Sequence, residues 1–401
     1  MQKKKVVWAG IISLFVIVAL GGLISACFSP WKGDMGAFSI SIGNSGSGGS
    51  SRAVLPWDDS IDSNDLQHVI KLSGAPGPDQ TRTITGSGTV NFTVTPGNWY
   101  ISVEAYSVDN TGESAPTGGG QPVKTFVAFG ARDVNIKSGL NGTVSMEMWQ
   151  VVSNWSDLGR VIEAGGSTIA LGAYVYFNWE FWDNTITINR PVTLIAANNI
   201  DITRLSGLNS FFSIGQEGSL TLQAARGRTL IIDGGGEANS GASSLVSVDG
   251  GELVMNDGVK LFNNYVTDYY GGGVSVNGGV FTMNSGSAIT GNTAVCGGGV
   301  YVSGGDSDGT FIMKGGTISG NTASESGGGV YVDGAGNFTK TGGTIYGSDG
   351  GGNANMGEPG QAVYVRPIAN ASTQTFRTEK QRDTTGGTSV NLDSDSETWP
   401  K

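Results

Sequence analysis

The chain has 401 residues, enough for two or three domains that each bury a core, and 67 of them are glycine, far above the usual ~7%. The glycines keep no period of three, which excludes collagen, and 38% hydrophobic residues can still build a core, so glycine must serve many turns. Only 14% of the chain is charged and the net charge is −11, so nothing would neutralise phosphates and no nucleic-acid partner is expected.

The first 27 residues read as a targeting segment. Lys3, Lys4 and Lys5 open it, and an uncharged apolar run of nineteen residues extends from Val6 to Ile24. Ile24-Ser25-Ala26-Cys27 comes next and resembles the lipobox of bacterial lipoproteins. That resemblance implies diacylglycerol on the Cys27 sulfur, cleavage just before it, and a membrane partner reached through the lipid. Phe28 is not the Asp that marks inner-membrane retention in that family, which favours the outer membrane or cell surface. An uncleaved anchor stays open, because ~20 apolar residues span a bilayer. With Cys27 lipidated, Cys296 has no cysteine left to pair with, and it reads as a small residue filling a turn.

Residues 28–35 read as a tether, and 36–149 as a small β-sandwich of about eight short strands. Phe38, Ile40 and Ile42 alternate with serines; Val90, Phe92 and Val94 alternate with polar residues, as do Trp99, Ile101, Val103 and Ala105. Thr95-Pro96-Gly97-Asn98 between the last two runs predicts a type II turn and a hairpin. The unit resembles transthyretin-like or immunoglobulin-like modules of bacterial envelopes. Gly43 to Ser51 reads as a flexible loop, and His68 as a surface residue. A helix is expected within 150–166, with Ser156 as N-cap, Asp157 in the first turn, Leu158, Val161 and Ile162 on one face, and Gly165-Gly166 as the stop. Such a helix, set just before a strand-rich repeat array, would cover the open end of that array.

From 167 to 366 the chain repeats itself. Leu253, Phe281, Phe311 and Phe338 recur at steps of 28, 30 and 27 residues. Leu261, Ile289, Ile318 and Ile345 form a second series, and Val274, Val300, Val330 and Val363 a third. Three short apolar units per period, each bounded by glycine, predict three strands per coil, with like residues stacked in inward ladders. Asn264, Asn292 and Asn321 are expected to stack as a structural amide ladder. Less regular strands upstream, such as Val192 to Ile195 and Leu230 to Ile232, leave room for roughly seven coils at the usual spacing. A polar stretch, 367–401, ends the chain as tail or cap.

The order Ile-x-x-Asn then Gly-Gly-x-Val, in residues 250–365, resembles the paired repeats of polymorphic outer-membrane proteins. It is similar more widely to the right-handed parallel β-helix superfamily of pectate lyases and autotransporter passengers. The resemblance implies a right-handed parallel β-helix, so together with the alternating strands before it the chain reads as all-β, a small β-sandwich and then a right-handed three-sheet parallel β-helix. It departs from the outer-membrane family in having Ile or Leu for Phe in the first motif.

β-Helices host both enzymes and adhesins, so function must come from a site. A hydrolase needs two carboxylates across a scissile bond, yet the acids here are isolated turn residues. Asp249, Asn277, Ser303 and Asp333 share one column, and Asp306-Ser307-Asp308-Gly309 is a fragment of a Ca²⁺ loop without its Glu. No catalytic residue, cofactor or metal is therefore assigned. Strand alternation turns Tyr301, Tyr331 and Tyr364 outward, after Ser247 and Ser275 in the same column, as an exposed aromatic ladder. Two readings remain. One is a surface-exposed structural or adhesive lipoprotein that binds glycan or host or matrix protein through the β-helix flank. The other is a polysaccharide-active lyase or hydrolase of the pectate-lyase-like superfamily.

Overall fold

The computed structural model describes residues 35–42, 65–74, 77–109, 123–172, 185–204, 209–239, 243–303, 308–334, 336–357, 360–366, 390–391 and 397–398. The targeting segment, Cys27, the Gly43–Ser51 loop and most of 367–401 lie outside them.

Alternation in the first strands becomes a two-layer unit. Gly36–Ile42 lies between Gly88–Val94 and Gly139–Ser145 in a three-stranded sheet. Gln80–Thr85, Gln67–Ser73, Gly97–Asp109 and Val123–Ile136 pair successively in a second sheet. Phe38, Ile40, Phe92, Ile70, Trp99, Ile101 and Val103 from both layers share one core. The hairpin expected at Pro96-Gly97 is not formed. Gly88–Val94 and Gly97–Asp109 belong to different sheets, so this turn carries the chain across the core. Gly97 holds φ +148°, and the Trp99 indole N–H donates to the Thr95 carbonyl at 2.8 Å. Turn chemistry specifies a reversal; it does not specify whether the two strands pair.

His68 also departs from expectation. The period of two in Gln67–Ser73 puts it on the inner side with Ile70 and Leu72, only 5% exposed. Its Nδ1 is buried without a hydrogen-bond partner. Burial lowers its pKa below the usual 6.5, opposed in part by a hydrogen bond to the backbone at Gly86.

From Thr168 the chain winds as a parallel β-solenoid of about six turns. Successive turns lay their strands in one long sheet and two seven-stranded ones, and Thr293–Ala294 pairs with Thr322–Ala323 in a further two-stranded sheet. The long sheet takes Pro191–Ala196, Ser219–Ala224, Glu252–Met255, Val280–Met283, Thr310–Met313 and Asn337–Lys340. A second sheet runs from Ile200–Thr203 to Thr344–Ile345, and a third, the valine sheet, from Ile186–Ile188 to Val363–Val365. The count is about six rather than the expected seven, and it begins with Thr168–Leu171 and Ile186–Ile188.

The three apolar series are stacked in register as their spacing requires. Leu253, Phe281, Phe311 and Phe338 are partners in successive strands. So are Leu261, Ile289, Ile318 and Ile345, and Val274, Val300, Val330 and Val363. The Phe281 and Phe311 rings lie 4.7 Å apart and 6° from parallel, with Phe338 5.1 Å beyond. Their separation is that of neighbouring strands, so parallel in-register pairing itself imposes the stacking.

Beside the second sheet stands the asparagine ladder, one residue longer than its sequence signal because Asn355 joins it. All four asparagines are at most 1% exposed. The Asn264 backbone N–H donates to Asn292 Oδ1 (3.1 Å), Asn292 N–H to Asn321 Oδ1 (3.0 Å), and Asn321 N–H to Asn355 Oδ1 (2.9 Å). The amide groups donate across the core edge to the carbonyls of Leu261, Ile289 and Ile318. At the N-terminal end Arg204 supplies the missing donor, with Nη1 2.8 Å from Asn264 Oδ1. Its guanidinium sits over Phe211 and donates to the Asn209 carbonyl; burial lowers its pKa to about 10.

The long sheet does not stop at the solenoid. Trp149–Val152 pairs antiparallel with Val123–Ile136 on one side and parallel with Thr168–Leu171 on the other. One thirteen-stranded sheet therefore runs from the N-terminal layers through every turn. The helix Trp155–Glu163 packs Trp155 against Phe211 and Phe212, and with Leu158 and Ile162 covers the first turn. Its N-cap is Asn154 rather than Ser156: Asn154 Oδ1 accepts the Asp157 N–H at 2.8 Å. At the far end Lys340 takes the inward position held by Met255, Met283 and Met313 in earlier turns. Its Nζ donates to the Gly343 carbonyl, and Glu397–Thr398 pairs antiparallel with its strand.

Asn292→Ala deletes an acceptor for one buried N–H and donors to Asn321 Oδ1 and the Leu261 carbonyl. At about 1–3 kcal/mol per buried group left unmade, urea unfolding should show a loss of about 3 kcal/mol or more. An unchanged midpoint would mean that the ladder adds nothing to stability.

His68 has a lowered folded-state pKa, so below pH ~6.5 the unfolded chain binds a proton that the folded chain refuses. Stability should therefore fall as pH drops from 6.5 towards 5, and His68→Gln should flatten that slope in thermal unfolding. An equal slope in the variant would assign it to other groups.

Candidate functional site

The outward column of the valine sheet is a strip of polar residues that becomes aromatic. In the earlier turns Ser213 and Ser247 donate to Asp249 at 2.9 and 2.7 Å, and Asn277 donates to it at 3.1 Å. In the later turns the same column holds Tyr301, Tyr331 and Tyr364, paired in register. Tyr270, from the loop before Val274–Val276, extends the column to four rings. Successive centroids lie 4.8, 5.5 and 5.2 Å apart.

The tyrosines point away from the solenoid core, as alternation requires, but they do not form an exposed ladder. Tyr301 and Tyr331 are each 8% exposed, in a small cluster of their own with Cys296, Val295 and the half-buried Tyr364. The glycine corners double back over them. Gly327 holds φ +68°, and a Cβ there would lie 2.8 Å from Tyr331 Cβ; only glycine lets the corner fold so close. Alternation tells which side a residue faces; it does not tell whether a neighbouring corner covers that side. The exposed aromatic surface is instead at the end of the stack, where Tyr269 and Tyr270 are 59% and 48% exposed.

Charges around the stack are engaged. Asp333 accepts from the Tyr301 hydroxyl at 3.2 Å and from Arg366 Nη1 at 3.1 Å. Burial, then the Asp333 charge, pushes the Tyr301 pKa well above 10 and that of Tyr331 to about 12. Cys296 Sγ donates to Glu325 at 3.6 Å, and burial raises its pKa, so it is a packed thiol rather than an activated one. Among the described residues no group of three or more His, Cys, Asp or Glu converges to hold a metal ion.

A second feature had no signal in the sequence. Where the N-terminal layers meet the solenoid, Phe129 packs on Ala170, Ile195, Ala197 and Ala225, flanked by Phe126, Ala131 and Trp149. Beside this contact opens a cavity of about 830 Å³. One wall is strand residues Asn98, Tyr100 and 131–135 with Trp149; the other is Ile195, Gln223, Ala224, Ala225, Arg226 and Asp257 from the outer face of the solenoid. Tyr100 and Arg226 also line a smaller cavity of about 210 Å³ that reaches Lys71 and Glu104. The Arg226 backbone N–H donates to the Tyr100 hydroxyl at 3.2 Å, and its guanidinium lies 3.7 Å from Asp133. These residues are remote in sequence, so only the shared sheet brings them together.

No protein-family model, curated protein or solved structure matches the chain.

Because Tyr331 is buried and stacked, Tyr331→Ser should cost about 3 kcal/mol in chemical denaturation rather than leave the fold untouched. A cost near zero would show that the ring is held at the surface.

Proposed function

We propose that the protein is a binding module of the bacterial envelope, held by a lipid on Cys27 at the outer membrane or cell surface. In this reading the segment 1–27 is a lipoprotein signal cleaved just before Cys27, which becomes the lipid-bearing first residue. A small β-sandwich then carries a right-handed, three-sheet parallel β-helix whose flank binds glycan or protein. The observation that carries it is the rigid four-tyrosine stack that ends in exposed Tyr270, beside exposed Tyr269. Aromatic rings already immobilised offer contact area at little further entropic cost. The enzymatic alternative finds less support, since Asp249 and Asp333 are each occupied by neighbouring side chains of the flank.

Two experiments test this. Cys27→Ala should abolish incorporation of labelled fatty acid and leave an uncleaved precursor; unchanged labelling would remove the anchor from the proposal. The full chain, displayed on a glycan and matrix-protein array, should retain at least one ligand class. Binding to none would remove the function.

A further inference from the structure

We infer that the cavity between the N-terminal layers and the solenoid is a binding site for a short, uncharged oligosaccharide. The inference rests on the reading of the chain as a glycan-binding module and adds to it a second place, separate from Tyr269 and Tyr270, and a ligand class. Its volume, about 830 Å³, lies within the ~300–1,000 Å³ typical of ligand sites. The chemistry of the lining narrows the choice. A pyranose ring needs a flat apolar surface for its C–H face and planar hydrogen-bonding groups around its rim.

Both are present. Trp149 is half-buried, its ring fixed by contact with Phe129 at 6.3 Å, and Tyr100 is half-buried beneath the Arg226 guanidinium. Ala131, Ala224 and Ala225 keep the floor shallow, so a ring can approach the aromatic side chains. Asn98, Asn135 and Gln223 supply carboxamides, each able to donate and accept, as vicinal hydroxyls require. Asn135 Nδ2 donates to Asn98 Oδ1 at 2.5 Å, which sets two amides side by side at the rim. The Tyr100 hydroxyl accepts the Arg226 N–H and so keeps its own proton for donation.

The lining carries no net positive charge that would favour an acidic sugar. The lining contains two arginines, Arg132 and Arg226, and two aspartates, Asp133 and Asp257, with Arg226 and Asp133 already facing one another. A uronate carboxylate would have to compete with Asp133 for Arg226, whereas a neutral sugar meets no such rival. Rigidity supports the assignment too. Both walls belong to one continuous sheet, so the site is formed before a ligand arrives and little ordering is lost on binding.

The test uses the full chain and titration calorimetry with neutral hexose and pentose pentasaccharides, and a pentagalacturonate as the charged comparator. Wild type should bind at least one neutral pentasaccharide, more tightly than the uronate. Trp149→Ala and Gln223→Ala should each weaken that binding at least tenfold. Because Trp149 packs against the core and its loss could unfold the chain, the partly exposed Gln223 is the independent probe, and thermal unfolding is followed for both. The Tyr269→Ser/Tyr270→Ser double variant should bind as wild type does. If binding is lost in that double variant but kept in Gln223→Ala, the cavity is not the site, though the glycan-binding reading stands. Preference for the uronate overturns the ligand class, and no binding by wild type overturns the inference, while binding to the glycan and matrix-protein array decides the reading separately.

Discussion

Parallel stacking in register is the constraint on which the whole molecule depends. A parallel solenoid has no tight hairpins to set its register, so each turn must be told where to sit on the last. The backbone bonds between turns are indifferent to a slip; the side chains are not. The asparagine ladder converts register into a condition for burying polar groups, since every acceptor Oδ1 is matched to the N–H of the preceding turn. A slip by one residue would strand amides and backbone groups in a site that excludes water. The phenylalanine and valine ladders add packing energy to a register already chosen.

Two different columns of the solenoid end in a cation, the asparagine ladder at its N-terminal end and the inward methionine column at its C-terminal end. Arg204 completes the hydrogen bonding of the first asparagine, and Lys340 replaces methionine in the inward column of the last regular strand. The two serve opposite purposes. Arg204 provides a donor where no earlier asparagine exists. Lys340 makes the last turn a poor template for another turn, because a further inward methionine would meet an ammonium group already bonded to Gly343. The N-terminal edge of the long sheet needs no such device, since the N-terminal layers continue it as paired strands.

The repeat was legible because it obeys one rule in three places. Period, inward ladders, asparagine column and outward column all came from apolar spacing and glycine corners, and Leu253, Phe281, Phe311 and Phe338 stand where that spacing puts them. What escaped was relational. Pro96-Gly97 announces a turn, yet the partner of the strand after it is Gln67–Ser73, outside any local window. His68 carries a polar label in a column whose other members, Ile70 and Leu72, say core. Asn355 escaped because the last turn holds a longer insertion, which moves it 34 residues beyond Asn321. The cavity was illegible for the same reason as the turn: its walls come from strands about a hundred residues apart that are joined in one sheet through Trp149–Val152.

Outward columns are where a solenoid can vary without disturbing its core, and the valine sheet shows how the freedom is used. Ser247 and Ser275 hold short polar contacts to the next acid or amide, whereas Tyr301 and Tyr331 fill the same column with stacked rings. Once the glycine corners fold over them, those rings serve as a secondary core, and only the open end of the stack, at Tyr270, stays exposed. The long sheet resolves the same freedom differently. Its outward alanines at 170, 197 and 225 are small enough to accept Phe129 of the N-terminal layers, and the cavity opens beside that contact, with Trp149 and Tyr100 on one wall and Ile195 and Gln223 on the other. Small residues on the solenoid and a large one opposite thus create the junction, so a concave surface arises beside it on a flank that stacked turns alone would leave flat.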